Sequence, residues 1–127
     1  MGRRAVLDTS FLLMHLQERV DIFTELKLML GEVELVVPEQ VLGELERLGS
    51  RGGKTGRFAR SALQLVRERC RVVRVEAESA DEAVERLAGE DTIICTNDKV
   101  LKERVRKRGS PVVFMRARSK LVLEGYV

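Results

Sequence analysis

Hydrophobic positions along the chain follow two rhythms. Short unbroken apolar runs alternate with longer stretches in which apolar residues recur every three or four positions. The short runs are Ala5-Val6-Leu7, Leu35-Val36-Val37, Ile93-Ile94-Cys95 and Val112-Val113-Phe114-Met115. Runs of this length read as strands buried on both faces. Arg71–Val75 is a further strand, alternating partly at its ends. The longer stretches read as amphipathic helices. The first spans Thr9–Leu30, with a break expected near Arg19–Asp21 and Gly31 placed to end it. Pro38 is expected at the first helical position of the next, whose stripe is Val41, Leu42, Leu45 and Leu48. A third covers Arg57–Arg69, with Phe58, Ala62, Leu65 and Val66 on one side. Ser79 and Glu82 form a capping box ahead of Ala83, Val84, Leu87 and Ala88, and Gly89 ends that helix. After Thr96-Asn97-Asp98 the last helix turns Val100, Leu101 and Val105 inward, and Gly109-Ser110-Pro111 closes it. Gly49–Gly53 reads as a flexible loop, and Leu121–Glu124 allows a short edge strand.

Strands alternating with helices imply β-α repeats, hence a parallel sheet covered by helices on both faces. The length of 127 residues suits one domain over residues 1–127 with one core. No apolar run approaches the roughly 20 residues of a membrane span, and no signal peptide precedes the first strand. Cys70 and Cys95 lack ligand spacing, and Cys95 lies inside an apolar run, as a core thiol does. These features suggest a cytoplasmic protein with no membrane partner and no cysteine metal site.

Net charge is only +3, but it is unevenly spread. Arg51 to Arg74 holds eight basic residues and one acid, and Lys99 to Lys120 holds nine and one. Between them, Glu76 to Asp91 holds seven acids against Arg86. Basic arms around an acidic middle suggest a polyanion held near a carboxylate cluster. The alternative is a set of solvated helix faces.

Four acids carry the candidate chemistry. Asp8 follows the first strand and Asp98 the fourth, so both fall at the carboxyl edge of the sheet, where ligands of open α/β folds bind. Each is either a metal ligand or the cap of its own helix. Glu44 sits at the border of an apolar stripe. Asp81 lies in the first turn of its helix, where nothing in the apolar pattern requires it. Such clusters suit hard divalent cations, which take oxygen ligands and keep several waters. No serine–histidine or cysteine–histidine arrangement competes, and His15 reads as structural or exposed. Gly52-Gly53-Lys54-Thr55 lacks the spacing and the preceding strand of a phosphate-binding loop.

Val6-Leu7-Asp8-Thr9-Ser10, Val41-Leu42-Gly43-Glu44-Leu45, Ser79-Ala80-Asp81 and Thr96-Asn97-Asp98 resemble, in order and spacing, the four acidic motifs of the PIN-domain ribonucleases. The resemblance covers nearly the whole chain. It implies a three-layer α/β/α sandwich around a parallel five-stranded sheet of order 3-2-1-4-5. It also implies a Mg²⁺- or Mn²⁺-dependent endonuclease acting on single-stranded RNA. Carried across, Asp8, Glu44, Asp81 and Asp98 form the acidic, metal-binding set, with Thr9 and Thr96 or Asn97 in support. Glu82 is the alternative third acid. Lys54, Arg57, Lys99, Lys102, Arg106 and Arg116 would hold the RNA backbone. A homodimer is the default assembly. From Val112 onward the chain is similar to archaeal members related to ribosomal-RNA-processing proteins, which implies a ribosome-assembly partner. The toxin of a toxin–antitoxin pair, with an antitoxin partner, and a non-catalytic RNA-binding module are the alternatives.

Overall fold

The computed structural model describes residues 3–117 and 120–125. The chain runs β1 (Arg3–Leu7), α1 (Thr9–Gln17), α2 (Ile22–Leu30), β2 (Val33–Pro38), α3 (Glu39–Gly49), α4 (Gly53–Arg69), β3 (Arg71–Val73), α5 (Ala80–Leu87), β4 (Thr92–Cys95), α6 (Lys99–Lys107), β5 (Val112–Arg116) and β6 (Lys120–Glu124). The strands form one sheet in the order β3-β2-β1-β4-β5-β6. β1 lies between β2 and β4, both parallel to it, so Ala5 stands beside Leu35 on one side and Ile93 on the other. Two parallel neighbours leave side chains of β1 and β4 no route to water. Ala5, Val6 and Leu7 are fully buried, and so is every residue of β4.

Strand order reverses between β1 and β4. Right-handed crossovers then send α1–α4 to one face of the sheet and α5 and α6 to the other. On one side α1, α3 and α4 pack together and on the other α5 packs against α6, while α3 and α5 also meet each other. One apolar cluster fills the sandwich, from Phe11, Leu12 and Leu26 through the central strands to Leu101 and Val105.

Several expectations are corrected. The sheet has six strands rather than five, because the edge strand allowed at Leu121–Glu124 is present as β6 and folds back antiparallel on β5, with Phe114 opposite Val122. Pro38 is the last residue of β2 and the N-cap of α3, with φ −70° and ψ 149°; its pairing with Val73 keeps it extended, so the helix starts one residue later. α4 begins at Gly53, a turn ahead of Arg57. The link before it is a tight corner rather than a loose loop. A Cβ on Gly56 would lie 1.8 Å from the Arg51 carbonyl oxygen, so only glycine fits. β3 stops at Val73, and α5 ends at Leu87 with Ala88, not Gly89, as its C-cap. Val100 is 59% exposed, while Leu101 and Val105 are buried. The break in the first helical stretch falls where expected. Arg19 adopts φ 56°, and Asp21 caps α2 through the Thr24 N–H. His15 braces this corner, accepting from the Ile22 N–H at 3.2 Å and meeting Phe23 edge to face. Its burial lowers its proton affinity, which marks it as structural.

No helix among the described residues is long and apolar enough to cross a membrane. Both cysteines are free thiols. Burial pushes the Cys70 thiol up to about 12, and that of Cys95 higher still, so both are inert at neutral pH.

Candidate active site at the carboxyl edge of the sheet

Asp8 stands where β1 ends and α1 begins, with extended backbone at φ −93° and ψ 173°. It is only 4% exposed. Its Oδ1 accepts from the Phe11 N–H at 2.9 Å and the Ser10 hydroxyl at 2.8 Å. Its Oδ2 accepts from the Thr96 hydroxyl. Asp8 is therefore the N-cap of its own helix, and Thr9 and Ser10 are left inside the first turn. The cap occupies one oxygen, so the capping role leaves the other oriented toward strand β4 by Thr96. Burial raises the Asp8 carboxyl to about 6, against the lowering effect of the three donors and with a smaller push from Asp81.

Asp98 repeats the pattern after β4. Its Oδ1 caps α6, accepting from the N–H groups of Val100 at 2.9 Å and Leu101 at 3.1 Å. Thr96 links the two acids. Its hydroxyl donates to Asp8 and accepts from the Asp98 N–H at 3.0 Å. Neighbouring parallel strands thus deliver two acids to one cavity, and Thr96 ties the Asp8 carboxylate to the Asp98 backbone.

Glu44 and Asp81 come from helices. Glu44 is half-buried in the middle of α3. Asp81 is in the first turn of α5, behind the Ser79 cap, which accepts from the Glu82 N–H at 3.1 Å. Glu82 turns back as a capping-box partner should, but reaches the Glu78 N–H at 3.2 Å rather than that of Ser79. Its other oxygen pairs with Arg86 at 2.8 Å. Glu82 is therefore engaged locally, and Asp81 is the acid that faces the cleft. Partial burial, then the nearby Asp98 and Glu44 carboxylates, raise the Asp81 carboxyl, and Arg104 partly offsets them.

Asp8, Glu44, Asp81 and Asp98 line one cavity of about 370 Å³, together with Thr9, Ser10, Leu13 and Ala80. Among the described residues, no three histidine, cysteine or acidic side chains converge closely enough to close on one ion. A cation held by these acids would therefore have to keep water in its coordination shell. The donors are all oxygens. Asp98 and Glu44 are near enough to raise the proton affinity of Asp81, and Asp81 that of Asp8, and the buried Thr9 Oγ1 has no hydrogen-bond partner among the described residues. This is a set that fits a hydrated hard cation.

The remaining candidates divide. Asn97 does not face the acids. Its Oδ1 accepts from the Met115 N–H at 2.9 Å and its Nδ2 contacts Met14 Sδ at 2.7 Å. Ser10, not expected among the site residues, bonds both Asp8 and the Asn97 N–H. It stood in the Asp-Thr-Ser run, and with Asp8 as the N-cap its hydroxyl is free to bond the acid from inside the first turn. Lys54, Arg57, Lys99 and Arg116 are exposed. Lys102 and Arg106 are not simply solvated. Both pair with Glu124 of β6, at 3.2 Å and 3.5 Å, and Lys102 also lies over the Phe114 ring.

A six-stranded, mostly parallel α/β sheet with four carboxylates lining a cavity at its switch point defines an α/β sandwich with an acidic site. Residues 5–118 match the family model of the PIN-like domain. The chain is 32% identical to Ribonuclease VapC9 of Archaeoglobus fulgidus, over 96% of this chain and 90% of that protein. It is equally identical to Ribonuclease VapC4 of Methanocaldococcus jannaschii, over 98% of each. Among solved structures, the PIN domain endonuclease Utp24 superposes with a TM-score of 0.81 at 27% identity, covering 98% of this chain and 92% of the other. The chain belongs to the PIN-like domain family.

Proposed function

We propose that this PIN-domain protein is a Mg²⁺- or Mn²⁺-dependent endoribonuclease that hydrolyses single-stranded RNA. What carries the reading is that acids from four separate elements line one cavity at the carboxyl edge of the sheet. The ribonuclease and endonuclease names of its relatives agree with it.

Asp8 and Asp98 are the residues that would hold the cation, with Glu44 and Asp81 completing the set directly or through water. When bound there, such an ion supplies an activated water and neutralises charge on the phosphoryl oxygens. The chain's own groups prepare the place. Ser10, Phe11 and Thr96 donate to Asp8 and favour its ionised form against burial. Thr96 holds Asp8 and Asp98 in fixed relation. Asp81 and Glu44 carry the charge that a phosphodiester alone would repel, so substrate enters with its counter-cation. Hydrolysis adds water across one P–O bond, leaving a phosphate on one fragment and a hydroxyl on the other.

The test is cleavage of a single-stranded RNA with and without Mn²⁺, comparing wild type with Asp8→Asn. Metal-dependent cleavage by wild type and its loss in the variant are expected. No cleavage by wild type would favour the non-catalytic RNA-binding module. Equal cleavage by both would remove Asp8 from the mechanism.

A further inference from the structure

Beside the acidic cavity lies a second and larger one, of about 630 Å³. Ser10 and Leu13 line both, so the two share a wall. The second cavity is also lined by Met14 and Met115, and by Gln17 and Glu18 at the end of α1. Asn97 holds the two methionines in place. Its amide contacts Met14 Sδ and accepts from the Met115 N–H, while its own N–H donates to Ser10. One residue therefore joins the walls of this pocket to the hydroxyl that bonds Asp8.

We infer that this pocket binds the base of a nucleotide next to the scissile phosphate, and that Glu18 selects guanine. The inference rests on the endoribonuclease reading and names the substrate feature that site would read. A phosphate in the acidic cavity leaves its neighbouring nucleoside about one pocket-width away, on either side. On the other side, a cavity of about 350 Å³ is lined by Gln40, Glu78, Ser79 and Arg47, with no large apolar side chain. The pocket beyond Ser10 has Leu13 and two polarisable thioethers, surfaces on which a flat base stacks. A carboxylate beside a polyanion is unfavourable unless it faces N–H donors. Guanine is the base that presents two adjacent donors on one edge, N1–H and N2–H, and a carboxylate accepts both.

The probes are guanosine, inosine and uridine monophosphates, titrated in the presence of Mg²⁺ into wild type and Glu18→Gln by calorimetry. Wild type should bind the guanosine compound about tenfold more tightly than the uridine one, the scale of one good bidentate contact. Inosine monophosphate, which lacks the N2 donors, should fall between them. In Glu18→Gln the preference should shrink about tenfold, because an amide offers one acceptor where the carboxylate offers two. Equal binding of guanosine and uridine monophosphates by wild type, no binding at millimolar concentration, or an unchanged preference in Glu18→Gln overturns the inference. None of these readouts needs catalysis. Failure of RNA cleavage therefore counts against the proposed activity alone, and failure of base preference against this pocket alone.

Discussion

The acidic cavity has a floor and a rim, and they are built differently. Asp8 and Asp98 form the floor. Each caps a helix, each hangs from the end of a central strand, and Thr96 ties them together. Glu44 and Asp81 form the rim. They project from α3 and α5, two helices tied to one another through Gln40 of α3, which donates to the Val75 and Ala77 carbonyls ahead of α5, and Asp81 is exposed. The Asp8 carboxyl is raised mainly by burial. Asp81 feels less burial but two neighbouring carboxylates. A floor fixed by hydrogen bonds can impose a geometry on a cation, whereas a rim on separate helices can supply charge and adapt to the substrate.

This contrast predicts unequal losses. Asp8→Asn and Asp98→Asn keep shape and cap acceptor but remove the charge. Each should lower Mn²⁺-dependent cleavage by about 10²- to 10³-fold, the order seen when one preorganised electrostatic group is lost. Raising the Mn²⁺ concentration should restore little of it. Rim substitutions that proved as damaging, and as resistant to added metal, would erase the distinction between floor and rim.

The floor should also be a stability liability. The folded Asp8 carboxyl is raised from 3.8 to about 6, so the folded state binds the proton more tightly than the unfolded one. Below about 4 both states are protonated and Asp8 contributes no penalty. As pH rises through 4 to 6 the buried charge forms and stability falls. Metal-free Asp8→Asn should thus be more stable than wild type at pH 7 to 8, by up to about 3 kcal/mol from the shift. The advantage should vanish near pH 4. Thermal melts across this range, in chelator, give the answer. A variant no more stable than wild type at pH 8 would mean that the donors from Ser10, Phe11 and Thr96 already compensate the burial.

On the rim, Asp81 and Glu82 separate by their partners. Glu82 is held by the Glu78 N–H and by Arg86, while Asp81 faces Asp98 and Glu44. Asp81→Asn should cut cleavage about tenfold and raise the Mn²⁺ concentration needed for half-maximal rate, as groups acting around a metal do. Glu82→Gln should change cleavage little, since an amide still reaches the Glu78 N–H. The reverse outcome would move the third acid one residue along.

Floor and rim were not equally legible in the sequence. The floor follows from rules with fixed reach, since a buried apolar run ending in an acid before a helical pattern puts that acid at the switch point. The rim depends on how α3 and α5 pack, which no local pattern specifies: the sequence marked Glu44 and Asp81 as candidates, and the PIN resemblance joined them to the floor in one set. Other misreadings have local causes. Val100 lies off the stripe that Leu101 and Val105 define, so its apolar character carried no information about burial. Gly53 and Gly56 look like loop residues because glycine weakens helices, yet Gly56 is required by the close Arg51 carbonyl. The edge strand at Leu121–Glu124 was legible and is present as β6; its antiparallel pairing with β5 was not, because the sequence between the two strands carries no Asn-Gly or Asp-Gly signal. Asn97 looked like a companion of Asp98, but its amide is spent on Met14 and Met115.

The smallest effect concerns the basic arms, which also differ from each other. Lys54 and Arg57 on α4 stand exposed, whereas Lys102 and Arg106 on α6 are both paired with Glu124. Partly exposed pairs of this kind contribute little to stability, so Glu124→Gln should leave the melting temperature almost unchanged. Its effect should appear in RNA affinity. Each cation that neutralises a phosphate contributes about −0.7 to the slope of log affinity against log salt for a single strand. If the α6 arm lies along the RNA, Glu124→Gln frees two cations, raises affinity at low salt and steepens the slope by up to about 1.4. Replacing Lys102, Arg106 and Arg116 together by Ala should flatten it. Lys54→Ala with Arg57→Ala should flatten the slope whether or not Glu124 is present, because that arm does not touch β6. Fluorescence binding to a labelled RNA, with catalysis silenced by Asp8→Asn, measures all of these slopes. A slope indifferent to Glu124 and to the triple substitution would make the α6 basic residues a solvated face and leave α4 as the only arm on the RNA path.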